Sequence, residues 1–346
     1  MIDSRAGPDA EAIDAPLLYQ YKPLQGPKAI RILRLSGGES SIIFAELVET
    51  TLGSHVPYEA VSYTWGSPKL SHTLSVQGGK TLEITVSLYN ALRAIRHPKI
   101  ESGARYVWAD GVCINQCDND EKSKQVNLMA EIYQLARRVI TYIGENTHDI
   151  DQGIGLANKL VLAGEERQSD NIVTIPAAYA KHNVPNPSDF SWESLRDFLG
   201  RSWYTRMWIV QESLLNPNMI MMCGKVEICW DLFTTLVAMM RQGEFMQYGA
   251  IQASSDKQTG AIQAMADMRV EYQRSPSPLF LLLLSSRQLD CTDPKDRVFA
   301  LASLCQDSKI TVDYDKTVAE IYTETARFLL SLHGIRLLSY AGLRKT

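Results

Sequence analysis

Apolar and polar positions change period repeatedly along this chain, and the changes predict an alternation of strands and helices. IRILRL (30–35) alternates residue by residue, as a half-exposed strand does. IIFAELVET (42–50) is its natural partner across the turn SGGESS. YEAVSYTWG (58–66) is a β-rich run closed by Gly66. HTLSVQGGKTLEIT (72–85) reads as a hairpin, with Gly78 and Gly79 free to take positive φ in its turn. The period then lengthens. SLYNALRAIR (87–96) is a helix with Ser87 as its N-cap, and Pro98 prevents its continuation. RYVWADGVC (105–113) returns to a strand. DNDEKSKQ (118–125) supplies capping chemistry and first-turn acids for another helix. There Val126, Met129, Ala130, Tyr133 and Ala136 recur at spacings of three and four, a core-facing stripe. RVITYIG (138–144) is a short β-branched strand.

Strand, helix, strand, helix, strand predicts an α/β fold. We expect an open, mostly parallel sheet with helices on both faces and the hairpin as an addition. Ligands of such sheets bind outside the carboxyl ends of the strands. That puts Trp65-Gly66, Asp110-Gly111 and Gly144-Glu145 on one rim. Further along, NKLVLAGEERQSDN (158–171) reads as helical and KHNVPNPSDF (181–190) as a loop. Trp192–Leu199 and Trp208–Leu215 read as helices, and VEICWDLFTTLVAMMRQ (226–242) as a strand running into a helix. Residues 243–260 read as a mobile polar loop. PLFLLLL (278–284) suits the buried part of a helix. In DPKDRVFALASL (293–304), Asp293 is the expected cap, Pro294 the first helical position and Asp296 the third. DYDKTVAEIYTETARFLLSLHG (313–334) is an amphipathic helix ending at Gly334. The expected domains are a tail (1–28), an α/β domain (29–230) and a helical extension (231–346). The abrupt stop at SYAGLRKT suggests that the extension continues into a longer polypeptide.

Composition narrows the function. The 346 residues are 45% hydrophobic and 21% charged, with a net charge of -4. This excludes the basic footprint of a nucleic-acid binder. The acidic, polar N-terminus lacks a secretory signal, and no apolar run is long enough to span a bilayer. The six cysteines form no CxxC pair and no histidine stands at ligand spacing, so no metal site is expected. Reduced, mostly buried thiols in a cytoplasmic protein fit better. GGKT (78–81) has Leu74 where a phosphate loop needs its first glycine, and GIG (153–155) lacks the third glycine of a dinucleotide fingerprint. Either cysteine of CINQC (113–117) has the chemistry of a nucleophile, but a buried thiol is the simpler reading.

The densest chemistry lies in RSWYTRMWIVQE (201–212). On a helix, Trp208 and Glu212 sit one turn apart on one face. This combination serves an ordinary amphipathic helix, an interaction face or the wall of a small-molecule site. The structural alternatives are specific. Trp65, Trp108, Trp203 and Trp208 suit core anchors, and Asp110 before Gly111 suits a turn. Arg201 and Arg206 have Asp197 and Glu212 as pairing partners.

Three blocks, YEAVSYTWG, VWADGVCINQCDNDEKSKQVNLMAEIYQLARRVITYIG and RSWYTRMWIVQE, together resemble the heterokaryon incompatibility (HET) domain of filamentous fungi. DPKDRVFALASL followed by ITVDY resembles the region after that family's core blocks, so the likeness runs from Tyr58 to Tyr314. It implies an intracellular protein of non-self recognition and programmed cell death. HET domains are in turn distantly similar to TIR domains, flavodoxin-like modules of which some cleave NAD at the nicotinamide–ribose bond. That resemblance implies Glu212 as the catalytic acid, four residues after Trp208, and Ser62-Tyr63 as the serine-containing end of the first strand. NAD would be a substrate, and no cofactor is implied. Glu212 would stabilise an oxocarbenium-like ribose, and Trp208 would stack on the nicotinamide. Arg201 or Arg206 would hold the pyrophosphate. Asp110 would bind a ribose hydroxyl, with Trp65 beside it on the rim. The alternative is a non-enzymatic module that self-associates or binds another incompatibility protein. The two readings differ at one residue: catalysis needs Glu212 open to a pocket, and the interaction module expects it paired or buried.

Overall fold

The computed structural model describes residues 17–54, 56–100, 103–147, 149–169, 174–241, 256–305 and 309–337. Among the described residues there are nine strands, β1 (Ala29–Leu35), β2 (Ile43–Thr51), β3 (Glu59–Tyr63), β4 (Leu70–Val76), β5 (Lys80–Thr85), β6 (Arg105–Trp108), β7 (Val139–Tyr142), β8 (Met219–Cys223) and β9 (Val226–Cys229). They form one open sheet in the order β5-β4-β2-β1-β6-β3-β7-β8-β9. The central four, β6-β3-β7-β8, run parallel. β1 joins this centre antiparallel to both β2 and β6, and β9 closes the far edge antiparallel to β8. The expected hairpin is β4–β5, turned by Gly78 and Gly79 at φ 74 and 69, and it extends the opposite edge through β2.

Burial follows position. Exposed and covered residues alternate along β2, whereas β7 is buried throughout and β3 at every residue but its first. A strand buried on both faces needs cover from both sides of the sheet. Eight helices accompany these strands: α1 (Val86–Ile95), α2 (Asp110–Cys113), α3 (Asn119–Leu135), α4 (Ile150–Ser169), α5 (Ile175–Lys181), α6 (Phe190–Leu199), α7 (Ile209–Leu214) and α8 (Trp230–Arg241), with α5 and α6 packed on α4. Four more helices follow: α9 (Asp256–Arg274), α10 (Leu279–Ser285), α11 (Asp296–Ala302) and α12 (Val318–His333). Among the described residues, no helix is long and apolar enough to cross a membrane.

The parallel strands fix where a crevice must form. In chain order they are β3, β6, β7 and β8, so in space they run second, first, third, fourth. The chain leaves β3 toward one side, to β6, then crosses back to β7 on the other. This is the flavodoxin-like order, and its crevice opens outside the carboxyl ends of β3 and β7.

Local chemistry accounts for most element ends, with some corrections. The cap of α1 is Thr85, not Ser87. The extended backbone of Thr85 brings its Oγ1 to 3.3 Å from the Leu88 N–H, while Ser87 lies inside the first turn. Asp118 caps α3 by accepting from Glu121 N, and Thr317 with Glu320 builds a capping box on α12, which ends at Gly334 as expected. Asp293 and Pro294 form a turn before α11 rather than its first residues, because Asp293 Oδ1 accepts from Lys295 N two residues on. Helix α4 starts eight residues ahead of the expected segment and takes in Gly153 and Gly155. Residues 256–260 open α9 rather than a loop, and 243–255 lie outside the described residues. PLFLLLL is helical, but it buries only Leu279 and Leu282 and leaves Leu281 45% exposed.

Gly153 and Gly155 give a paired test. A Cβ on Gly153 would stand 2.6 Å from Leu195 N, in the close crossing of α4 and α6, whereas nothing lies within 4 Å of one on Gly155. Replacing glycine by alanine within a helix gains about 1 kcal/mol, and overpacking costs about 1–3 kcal/mol. Backbone cannot swing aside, so Gly153→Ala is expected to lower the urea midpoint and Gly155→Ala to hold or raise it. Equal midpoints for the two variants would contradict the close crossing.

Candidate functional site

At the carboxyl end of β3 the chain buries polar groups where a core would take apolar ones. Ser62 is 1% exposed and Glu212, on α7, is also 1% exposed. The Ser62 hydroxyl donates to Glu212 Oε2 and accepts from the indole Nε1 of Trp203, 2.7 Å away. Tyr133 Oη on α3 donates to the other oxygen, Oε1, at 3.4 Å. Arg206 Nη1 approaches Oε2 at 3.5 Å, with its side chain 17% exposed. One carboxylate therefore joins β3, α3, α7 and the 3-10 turn Ser202–Thr205.

A second group lies alongside. Trp65 Nε1 donates to Asp110 Oδ2 at 2.9 Å, and Asp110 Oδ1 accepts from Gly111 N at 2.7 Å. Tyr63 is buried, with its hydroxyl set against Gly111 in place of any Cβ. Burial pushes the Asp110 and Glu212 carboxyls above the usual carboxylate range, against the opposing pull of Arg206 on each. The Asp110 charge also raises Glu212. Both groups therefore hold protons more tightly folded than unfolded. Their destabilising effect is absent below the unfolded carboxylate range and grows as pH rises through the raised folded values.

Two expected members lie elsewhere. Arg201 donates to Asp197 Oδ2 at 2.9 Å and Thr147 Oγ1 at 2.7 Å, filling the space beside Gly144. Trp208, half-buried just before α7, donates from Nε1 to Asp296 Oδ2 at 3.1 Å, and Tyr314 Oη donates to Asp296 Oδ1 at 2.8 Å. The indole and the carboxylate one turn apart thus serve different partners. Both arginine pairings weighed from the sequence, Arg201 with Asp197 and Arg206 with Glu212, are present. Asp110, Trp65 and Gly144-Glu145 do share the rim. Glu145 accepts from Tyr142 Oη and faces Arg93 at 3.6 Å. Trp203, Tyr133 and Asp296 belong to these networks too. Their sequence patterns read as a core anchor, a core stripe and a third helical position, and nothing local marks them as partners of Glu212 or Trp208. Cys113 is buried and burial pushes its thiol up to about 12, which keeps that thiol protonated at neutral pH.

Residues 58–212 match the family model described as "Heterokaryon incompatibility protein (HET)". This stretch of the chain is similar to the HET domain. The matched span runs from the residue before β3 to Glu212 itself, so it holds the whole Ser62–Glu212 network. The chain is also 25% identical to "Heterokaryon incompatibility protein 6, OR allele" of Neurospora crassa, over 83% of this chain and 50% of the relative. It therefore spans about half the length of the curated relative it matches. No solved structure matches the chain.

The serine contact has a built-in control. Ser62 pairs in register with Thr141 on β7, whose buried Oγ1 has no hydrogen-bond partner. Ser62→Ala orphans the Trp203 indole N–H and leaves Glu212 Oε2 with only the 3.5 Å contact from Arg206, at about 1–3 kcal/mol for the buried donor left unsatisfied. Thr141→Val removes an unsatisfied hydroxyl and is expected to be neutral or stabilising. Chemical denaturation of both variants checks this, and equal losses would contradict the hydrogen-bond assignment.

Proposed function

We propose that this HET-domain chain acts in fungal incompatibility as a non-enzymatic signalling module, working by association with itself or with another incompatibility protein. The observation that carries this reading is the burial of Glu212, with both oxygens engaged by protein groups. A carboxylate so held has no free face for a sugar. The relative's name supports the biological setting. Exposed apolar residues support association: Leu281, Leu330, Leu332 and Ile335 are 45%, 39%, 56% and 82% exposed.

One observation favours a second reading, cleavage of NAD at the nicotinamide–ribose bond. The Ser62–Glu212 pair sits at the carboxyl end of β3, where folds of this strand order bind nucleotides. Buried ionisable clusters with raised pKa values also concentrate at functional sites. This chemistry requires Glu212 to be released from Ser62 and Arg206 before a ribose reaches it. In that state Arg206 and Asp110 stand ready as pyrophosphate and ribose contacts, with Tyr63 and Trp65 on the rim. Arg201 and Trp208 take part only if they leave Asp197 and Asp296.

Incubating the purified chain with NAD over a wide range of protein concentration, and following free nicotinamide, separates the readings. The module reading expects no release above a Glu212→Gln control at any concentration. Release that rises with concentration and disappears in Glu212→Gln would overturn it in favour of catalysis.

A further inference from the structure

Away from Glu212, a cavity of about 300 Å³ opens between the rim of the sheet and the segment that leads into β1. Its floor is Leu82 and Ile84 of β5 with Leu88 of α1, and Trp65 stands at its side. Its roof is a strap, Leu18–Tyr21. The strap is fastened at both ends. Tyr19 N donates to Thr81 O at 2.8 Å, and Thr81 N donates to Leu17 O at 3.0 Å. At the other end Tyr21 Oη donates to Val112 O at 2.9 Å. The buried Arg31, paired with Glu121, donates to Lys22 O at 2.6 Å.

We infer that this cavity is a binding site for a flat, mainly apolar ring that carries no negative charge, whether neutral or cationic. Three features carry the inference, all independent of the role proposed for Glu212. The first is aromatic. Trp65 remains 37% exposed although its N–H is already satisfied by Asp110, so the indole is held rigid with open surface toward solvent. Tyr19 and Tyr21 of the strap, which also line the cavity, meet edge to face with their centroids 5.3 Å apart. Rigid aromatic surfaces accept a ring at little conformational cost. The second feature is charge. Among the residues lining the cavity there is no lysine, arginine or histidine, and the sole carboxylate is the exposed Glu83. The nearest cation, Arg31, stands 5.0 Å from the Tyr21 ring centroid and is paired with Glu121, so a phosphate or carboxylate would meet no free cation, whereas a cationic ring would gain from the open face of Trp65 and from Glu83. The third is place. The cavity lies beside the carboxyl ends of β3 and β6, where open α/β sheets hold ligands, and its volume suits a ring compound rather than a dinucleotide.

A matched series tests the inference: quinoline, N-methylquinolinium and quinoline carboxylate, which share one ring system and differ in charge. The whole chain is labelled with fluorotryptophan, and the Trp65 signal is assigned by its loss in Trp65→Phe. Quinoline and N-methylquinolinium are expected to shift that signal saturably, with the carboxylate weaker than the cation by about tenfold or more. Glu83→Lys, at an exposed position, is expected to narrow or reverse that ratio. Leu82→Trp fills the cavity and is expected to abolish the shift. If that variant fails to fold, the Glu83→Lys ratio decides alone. The inference is overturned if no member of the series shifts Trp65 saturably, or if cation and carboxylate bind alike and Glu83→Lys changes nothing.

Discussion

A carboxylate withdrawn from water governs this structure. Glu212 lies where a parallel sheet presents its strand ends, yet Ser62, Tyr133 and Arg206 close around it, and Trp203 completes the chain of donors through the Ser62 hydroxyl. Desolvating an ionised carboxyl costs several kcal/mol unless hydrogen bonds and a counter-charge offset it. The offset here is spread over four elements, so none of them can shift alone. The 3.5 Å approach of Arg206 is long for a strong ion pair, and burial still wins over its pull on the carboxyl.

The same logic repeats at a second node and orders the later helices. Asp296 opens α11 and is raised above the usual carboxylate range, with burial the largest cause. It accepts from Trp208 beside α7 and from Tyr314, whose ring also meets Lys122 of α3 at 4.0 Å. Asp290 takes part as well: Met207 N donates to Asp290 O at 2.7 Å, and Lys257 of α9 pairs with its carboxylate at 2.6 Å. The residues after the family match therefore pack onto the segment that ends it. The Trp208–Glu212 face is divided between two polar nodes, which makes its density of indole and guanidinium structural in the state described.

Much of this was legible in the sequence because it rests on local chemistry. The β4–β5 hairpin followed from two adjacent glycines, and the α3 stripe from apolar spacing, although Ile132 is buried within it and Ala130 only half-buried. The shared rim followed from the order of strands and helices alone. Other elements are dictated by distant contacts. MIMMC (219–223) neither alternates nor carries a β-branched run, and it becomes β8 because it lies between β7 and β9. α9 is too polar to announce itself, and its Arg269 is fixed by carbonyls of Ser213 and Asn216. The site divides the same way. The types and spacing of Ser62, Asp110, Arg206 and Glu212 were readable. Whether Glu212 faces a hollow or the interior depends on Trp203 and Tyr133, which reach it from separate elements.

Because the account rests on Glu212 being held inside the fold, its own titration is the most direct check. Carbon NMR of the chain labelled at glutamate side-chain carboxyls, with Glu212 assigned by Glu212→Gln, reports that value in the native state. The account predicts a midpoint above the ordinary glutamate value of about 4.3, and a downward move when Asp110→Asn removes the neighbouring charge. A midpoint at or below the ordinary value, unchanged by Asp110→Asn, would mean a solvated carboxylate and would contradict the buried network.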